Sequence, residues 1–249
     1  MLPRLLCLLC VLISLAVPAS AAEATPARKR VLVFTKSSGF EHDAIKLVMK
    51  DGRPGYAFPV LEELGRRLNL ELVFSKDGSL FNPEYLAQFD AYLFYTTGDL
   101  TTPKSETRGD GLPPMTPAGK AALLAAIAGG KGFVGLHCAS DTFHTGSSAD
   151  QGPERWHDDG EHADDFIKMV GGEFIKHGKQ QVAKLTVTDA KFPGMSRVPN
   201  GHALHEEWYS LKNFAPDMHV LIVQETAGME GPEYARPAYP CTWIRRHGQ

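Results

Sequence analysis

His42, His137 and His144 are the residues of this chain best suited to moving protons near neutral pH, where an unperturbed imidazole titrates. Carboxylates stand close to each: Glu41 and Asp43 flank His42, and Asp141 lies between His137 and His144. The stretch Gly135-Leu-His-Cys-Ala139 puts small residues on both sides of His137. That is the pattern of a strand ending in a sharp elbow, which holds its central side chain clear of the sheet. The alternative for His137 is a core histidine satisfied by a backbone carbonyl. For His42 it is a loop residue that caps a helix with Asp43. Cys138, one position on, should face the other way and be buried, which argues against thiol catalysis.

A second group lies in His205-Glu-Glu-Trp-Tyr209. Alternation along a strand sends Glu206 and Trp208 to one face, Glu207 and Tyr209 to the other. Aromatic faces stack on sugar rings while acids accept hydroxyl protons, so this composition suits a carbohydrate. The expected binding residues are Glu206 and Trp208, with Asp99, Ser38 and His144, around the catalytic candidates His137, His42 and Asp141. A core aromatic pair beside a solvated acid is the alternative. His177 either lines the same cleft or sits on the surface. Histidines with acids also suit a divalent metal such as zinc, although no tight ligand spacing of the HExxH kind is present. No GxGxxG follows a strand and no Walker motif occurs, which excludes a nucleotide site.

These side chains need a sheet to gather them. Arg30–Thr35, Glu71–Phe74, Ala91–Thr96 and Gly132–His137 read as buried strands. Helical patterns fill the intervals: Asp43 caps a first helix, Phe58–Leu68 carries Val60, Leu61, Leu64 and Leu68 on one face, and Ala118–Ala128 ends at Gly129-Gly130. Tyr85–Phe89 reads as a connector. This rhythm implies a parallel sheet with helices on both faces, and such sheets bind ligands beyond the carboxyl ends of their strands. Three loops meet that condition: Ser37–Asp43, Thr97–Asp99 and His137–His144. Further on, Glu161–Val170 reads as helix, and Gln181–Thr188, Glu206–Leu211 and Met218–Gln224 as strands. The stretches 98–117 and 140–160 are long polar loops.

The formal net charge is −3, and no basic stripe is present, which argues against nucleic acid as a partner. Arg4, the apolar run Leu5–Val17, Pro18 and Ala19-Ser-Ala21 read as a secretory signal over residues 1–21. A flexible leader, 22–29, and one domain, 30–249, follow. The apolar run is short of the about 20 residues a membrane span needs, so the mature protein is expected in a periplasm or outside the cell, with an uncleaved anchor as the alternative. Of the four cysteines only Cys138 and Cys241 survive cleavage, so at most one disulfide is available.

Val31-Leu-Val-Phe-Thr-Lys-Ser-Ser-Gly-Phe-Glu-His-Asp43, Tyr95-Thr-Thr-Gly-Asp99, Gly132-Phe-Val-Gly-Leu-His-Cys-Ala-Ser-Asp141, Glu206-Glu-Trp-Tyr209 and Tyr239-Pro-Cys-Thr-Trp243 together resemble the ThuA-like (trehalose-utilisation) family. The resemblance implies an α/β fold, a flavodoxin-like three-layer sandwich with a mostly parallel central sheet, related to class I glutamine amidotransferases. In those relatives a cysteine occupies the elbow where His137 stands here, which argues against amide hydrolysis through a thiol. The implied substrates are disaccharides or 3-keto sugars, and the implied site residues are His42, Asp99, His137, Asp141 and Glu206. It further implies a strand and a Gly-His segment after Arg245-Arg-His-Gly248, which would lie beyond Gln249. The expectation is an exported carbohydrate-utilisation protein in which His137 or His42 serves a hydrolytic, isomerising or eliminating step. A non-catalytic carbohydrate-binding protein and a degenerate scaffold are the alternatives.

Overall fold

A computed structural model describes residues 27–102, 109–145 and 156–249. The expected signal and most of the leader fall outside them, as do the middle parts of both long loops. Strands β1 (Lys29–Phe34), β2 (Leu70–Ser75), β3 (Ala91–Phe94) and β4 (Gly132–Gly135) pair in parallel in the order β2-β1-β3-β4. Leu32, Val33 and Phe34 are successive and all buried, as a strand covered on both faces requires. Helix α1 (Ala57–Arg67) links β1 to β2, and α3 (Pro117–Ala128) links β3 to β4. Phe34, Phe81, Phe94, Leu123 and Phe166 meet in the core between sheet and helices.

Three local expectations are corrected. The helix expected after β1 is only a 3-10 turn, Asp43–Ile45, and Asp43 pairs with Lys46 at 2.5 Å instead of capping it. On α1 only Leu61 of the four apolar residues is buried, while Val60, Leu64 and Leu68 are exposed. Gly65 sets that orientation, because a Cβ there would lie 2.8 Å from Leu72 Cγ, so the helix docks along Leu61 and Gly65. The connector before β3 is a helix, α2 (Pro83–Ala87), started by the Asn82 side chain accepting from the Tyr85 amide and by Pro83 in the first turn.

The second half departs from a mostly parallel sheet. After α4 (Asp165–Val170) come β5 (Glu173–His177), β6 (Gln181–Val187), β7 (His202–Glu206), β8 (Tyr209–Lys212), β9 (His219–Gln224) and β10 (Tyr239–Ile244). They form two antiparallel sheets, β10-β9-β6-β7 and β5-β8. The strand expected over Glu206–Leu211 is therefore two strands in two sheets, broken at Glu207 and Trp208. Trp208 causes the break: its ring packs with Ala183, Leu185 and Tyr234, and its indole N–H donates to the Gln181 carbonyl at 2.8 Å. Cys138 and Cys241 are both free. Among the described residues no helix is long and apolar enough to cross a membrane.

Candidate functional site

The strand order reverses direction between β1 and β3, and a sheet of this type opens its ligand crevice at that point. The loops after β1, β3 and β4 stay side by side beyond the strands. Ser37 bridges Thr97, Gly98 bridges Thr142, and the Gly98 amide donates to the Asp141 carbonyl at 2.7 Å. Gly98 adopts φ +74°, and a Cβ on it would lie 2.6 Å from the Gly39 amide nitrogen, so only glycine lets these loops close.

β4 ends at Gly135, and His137 opens a 3-10 turn, His137–Asp141, with φ +47°. A residue with a Cβ is strained in that region, and such strain tends to collect at functional positions. The turn is tight: a Cβ on Gly135 would lie 3.1 Å from the Ala139 Cβ. The His137 side chain emerges 25% exposed.

Around it the two halves of the molecule meet. The His42 ring stands 4.8 Å from the His137 ring, edge to face, and the Tyr95 ring 5.7 Å away, stacked. Tyr209 approaches from β8 with its ring 4.5 Å from that of His137 and its hydroxyl 3.5 Å from His42 Nε2. Glu207 spans two imidazoles, 3.7 Å from His137 Nε2 and 3.6 Å from His177 Nε2. His177 in turn stacks on Tyr209 at 5.9 Å.

Burial lowers the pKa of His137, helped by His42 and opposed by Glu207. Burial also lowers that of His42, against the pull of Glu207 and Asp141. Both rings are therefore neutral at pH 7, with a nitrogen lone pair free to take a proton. Burial pushes the Tyr95 and Tyr209 hydroxyls far above their ordinary range, so both stay protonated donors. His144 behaves in the opposite way. Burial resists its charge, but Asp141 at 2.5 Å and Glu173 at 2.9 Å outweigh burial and lift it to about 9. Glu173 also accepts from the Thr145 amide and from Asn213, so this cluster clamps the elbow loop to β5.

The structure brings His42 and His137 together, places Glu206 and Trp208 on the wall of the cavity that His137 lines, and gives the remaining expected residues other partners. The Asp141 carboxylate turns to His144. Asp99 is exposed and accepts from the Thr101 amide and hydroxyl in its own turn. The Ser38 amide donates to Thr97, and its hydroxyl is buried without a partner. Glu206, exposed on β7, accepts from the Glu207 amide and lines the cavity beside His137. Trp208, 7% exposed, packs mainly in the second core and also lines the cavity beside His137. The pair turned toward His137 is Glu207 and Tyr209, the opposite phase of the same alternation. Cys138 is buried as expected, but it does not face away: its sulfur and a nitrogen of each of His42 and His137 lie within 4.8 Å of one another.

Sequence reasoning also missed Tyr95 and a buried charge network beneath the β1 loop. Lys36 and Asp110, each 3% exposed at the side chain, pair at 3.2 Å, and Lys76 bonds Glu41 at 3.0 Å and the Thr35 carbonyl at 2.6 Å. Asp110 also accepts from the Ser37 amide, which ties the long loop after β3 to the segment carrying His42. A cavity of about 750 Å³ opens beside His137, between the free edge of β4 and strands β8 and β10, with Glu206, Glu207, Trp208, Tyr209 and Trp243 on its walls. Its size is within the range of small-molecule sites.

Comparison with known proteins agrees with this architecture. A solved structure from Bacteroides uniformis ATCC 8492, described as ThuA-like, superposes with a TM-score of 0.55 at 18% identity, covering 92% of this chain and 79% of that one. Another ThuA-like structure, from Parabacteroides merdae ATCC 43184, gives 0.50 at 13% identity, covering 89% and 76%. At such identities the likeness concerns the fold alone. No curated protein matches the chain. The family model described as trehalose utilisation matches residues 30–249, and the chain belongs to that family, ThuA.

Proposed function

We propose that this protein is an exported enzyme of carbohydrate utilisation that performs acid–base chemistry on a disaccharide or 3-keto sugar at the His137 site. The observation that carries the reading is the convergence of a neutral imidazole, a protonated phenol and a carboxylate: His137, Tyr209 and Glu207. A ketone acidifies the C–H bonds on either side of it. His137 takes such a proton, Tyr209 donates a hydrogen bond to the carbonyl oxygen as charge grows there, and Glu207 stabilises the imidazolium. In an elimination the C–H electron pair forms the new double bond, the glycosidic C–O bond breaks, and the leaving oxygen receives the proton. No nucleotide is needed.

The family supports carbohydrate as the substrate class. Export rests on the amino-terminal pattern of Arg4, an apolar run and small residues before Ala22. The order β2-β1-β3-β4 also supports the finer reading of a flavodoxin-like, three-layer arrangement. The aromatic walls, Trp208, Tyr209 and Trp243, favour a second reading, a protein that binds sugar without converting it.

The test is turnover of a 3-keto disaccharide by purified protein, followed by chromatography. Product forms with the wild type, and His137→Ala lowers the rate by about 10²- to 10⁴-fold. Equal rates in the two proteins would remove His137 from the chemistry. Calorimetric binding with no product over long incubation would select the second reading.

A further inference from the structure

His42, His137 and Cys138 present two imidazole nitrogens and one sulfur within 4.8 Å of one another. We propose that these three donors form a capture site for a thiophilic divalent ion of the zinc class, and that a captured ion silences the acid–base site. The inference rests on the role given to His137 above, because an ion there occupies the lone pair that would take the substrate proton.

Zinc binds sulfur at about 2.3 Å and imidazole nitrogen at about 2.0–2.1 Å, which sets neighbouring tetrahedral donors about 3.3–3.6 Å apart. The observed separations, none above 4.8 Å, exceed that by about 1.5 Å at most, a gap that turns of the His42 and His137 rings would close. The donor states fit. Both imidazoles are neutral, as metal ligands must be, and burial keeps the Cys138 thiol protonated until an ion arrives. Capture forms a metal–sulfur bond and breaks the S–H bond, and the proton leaves to solvent. A nitrogen–nitrogen–sulfur set also discriminates, since magnesium and calcium prefer oxygen ligands. Three protein donors would leave a fourth position for water, and Glu207 stands 3.7 Å from His137 Nε2.

The experiment uses tag-free, chelator-treated full-length protein with zinc alone and cobalt alone. Calorimetry in two buffers of different ionisation heat should give one zinc per chain with one proton released. Cobalt should give a near-ultraviolet sulfur-to-metal charge-transfer band. Cys138→Ser should lose the band and bind zinc more than about tenfold more weakly, exceeding the loss from removing even an outer partner of a ligand. His219→Gln, in the exposed pair with Asp189, should keep both. If Cys138→Ser does not fold, the wild-type band and proton count decide alone. No stoichiometric ion, or cobalt bound without the band, overturns the site and leaves the carbohydrate reading untouched. Turnover unaffected by a full complement of zinc overturns the silencing. Capture by a protein that turns over no sugar upholds the metal site and fails the carbohydrate reading instead.

Discussion

His137 and His144 sit on one loop after one strand and take opposite characters. His137 is ringed by neutral aromatics and another imidazole, with Glu207 at 3.7 Å and a weaker pull from Glu206, so desolvation dominates and the ring stays neutral. His144 has a carboxylate on each nitrogen, at 2.5 and 2.9 Å, and holds a proton until about pH 9. The number and closeness of acids facing a ring, not its place in sequence, separates a proton acceptor from a structural cation.

That contrast can be broken most forcefully at His137. Its change to alanine costs about 3 to 5 kcal/mol in barrier, the equivalent of the rate loss given above, and should leave unfolding by urea nearly unchanged. His144→Gln should do the reverse. A folded pKa of about 9 against about 6.5 unfolded means its stabilisation is complete below pH 6.5 and disappears as pH rises through 9. The variant should lose on the order of 3 kcal/mol at pH 6 and approach wild type above pH 9, read from urea midpoints at both values. Stability that is flat with pH in the wild type would refute the clamp.

Glu207→Gln sharpens the comparison more gently. Because Glu207 raises the His137 pKa, its removal should move the acid limb of the pH–rate profile to lower pH and slow turnover about tenfold. A limb displaced upward would contradict the assignment. The smallest effect is expected at Trp208→Phe, which loses the bond to Gln181 and about 1 kcal/mol of stability, with turnover preserved. A large loss of sugar binding there would make Trp208 a binding residue of the cavity it lines.

The parallel half was legible because β1 and β3 are short apolar runs with few alternatives, and their carboxyl ends locate the crevice. The elbow was legible from the small residues around His137. The antiparallel half was legible only in part: β6 and β9 lie within a residue of the strands expected at Gln181–Thr188 and Met218–Gln224. β5 carries Glu173 and His177 at its ends, and β7 and β10 were not anticipated at all. Alternation along Glu206–Tyr209 identified the two faces. Choosing between them required knowing that Trp208 anchors into a second core and splits the run. The buried pairs of Lys36 with Asp110 and Lys76 with Glu41 carried no sequence signal, because the partners lie 74 and 35 residues apart and meet only in the fold.

The central claim is that one loop holds a neutral and a charged histidine at the same pH, and nitrogen-15 NMR titration of the chelator-treated protein measures it directly. The account predicts a His137 ring that is neutral at pH 7 and titrates below 6.5, and a His144 ring that stays protonated until about pH 9. Two rings titrating together near 6.5 would contradict it.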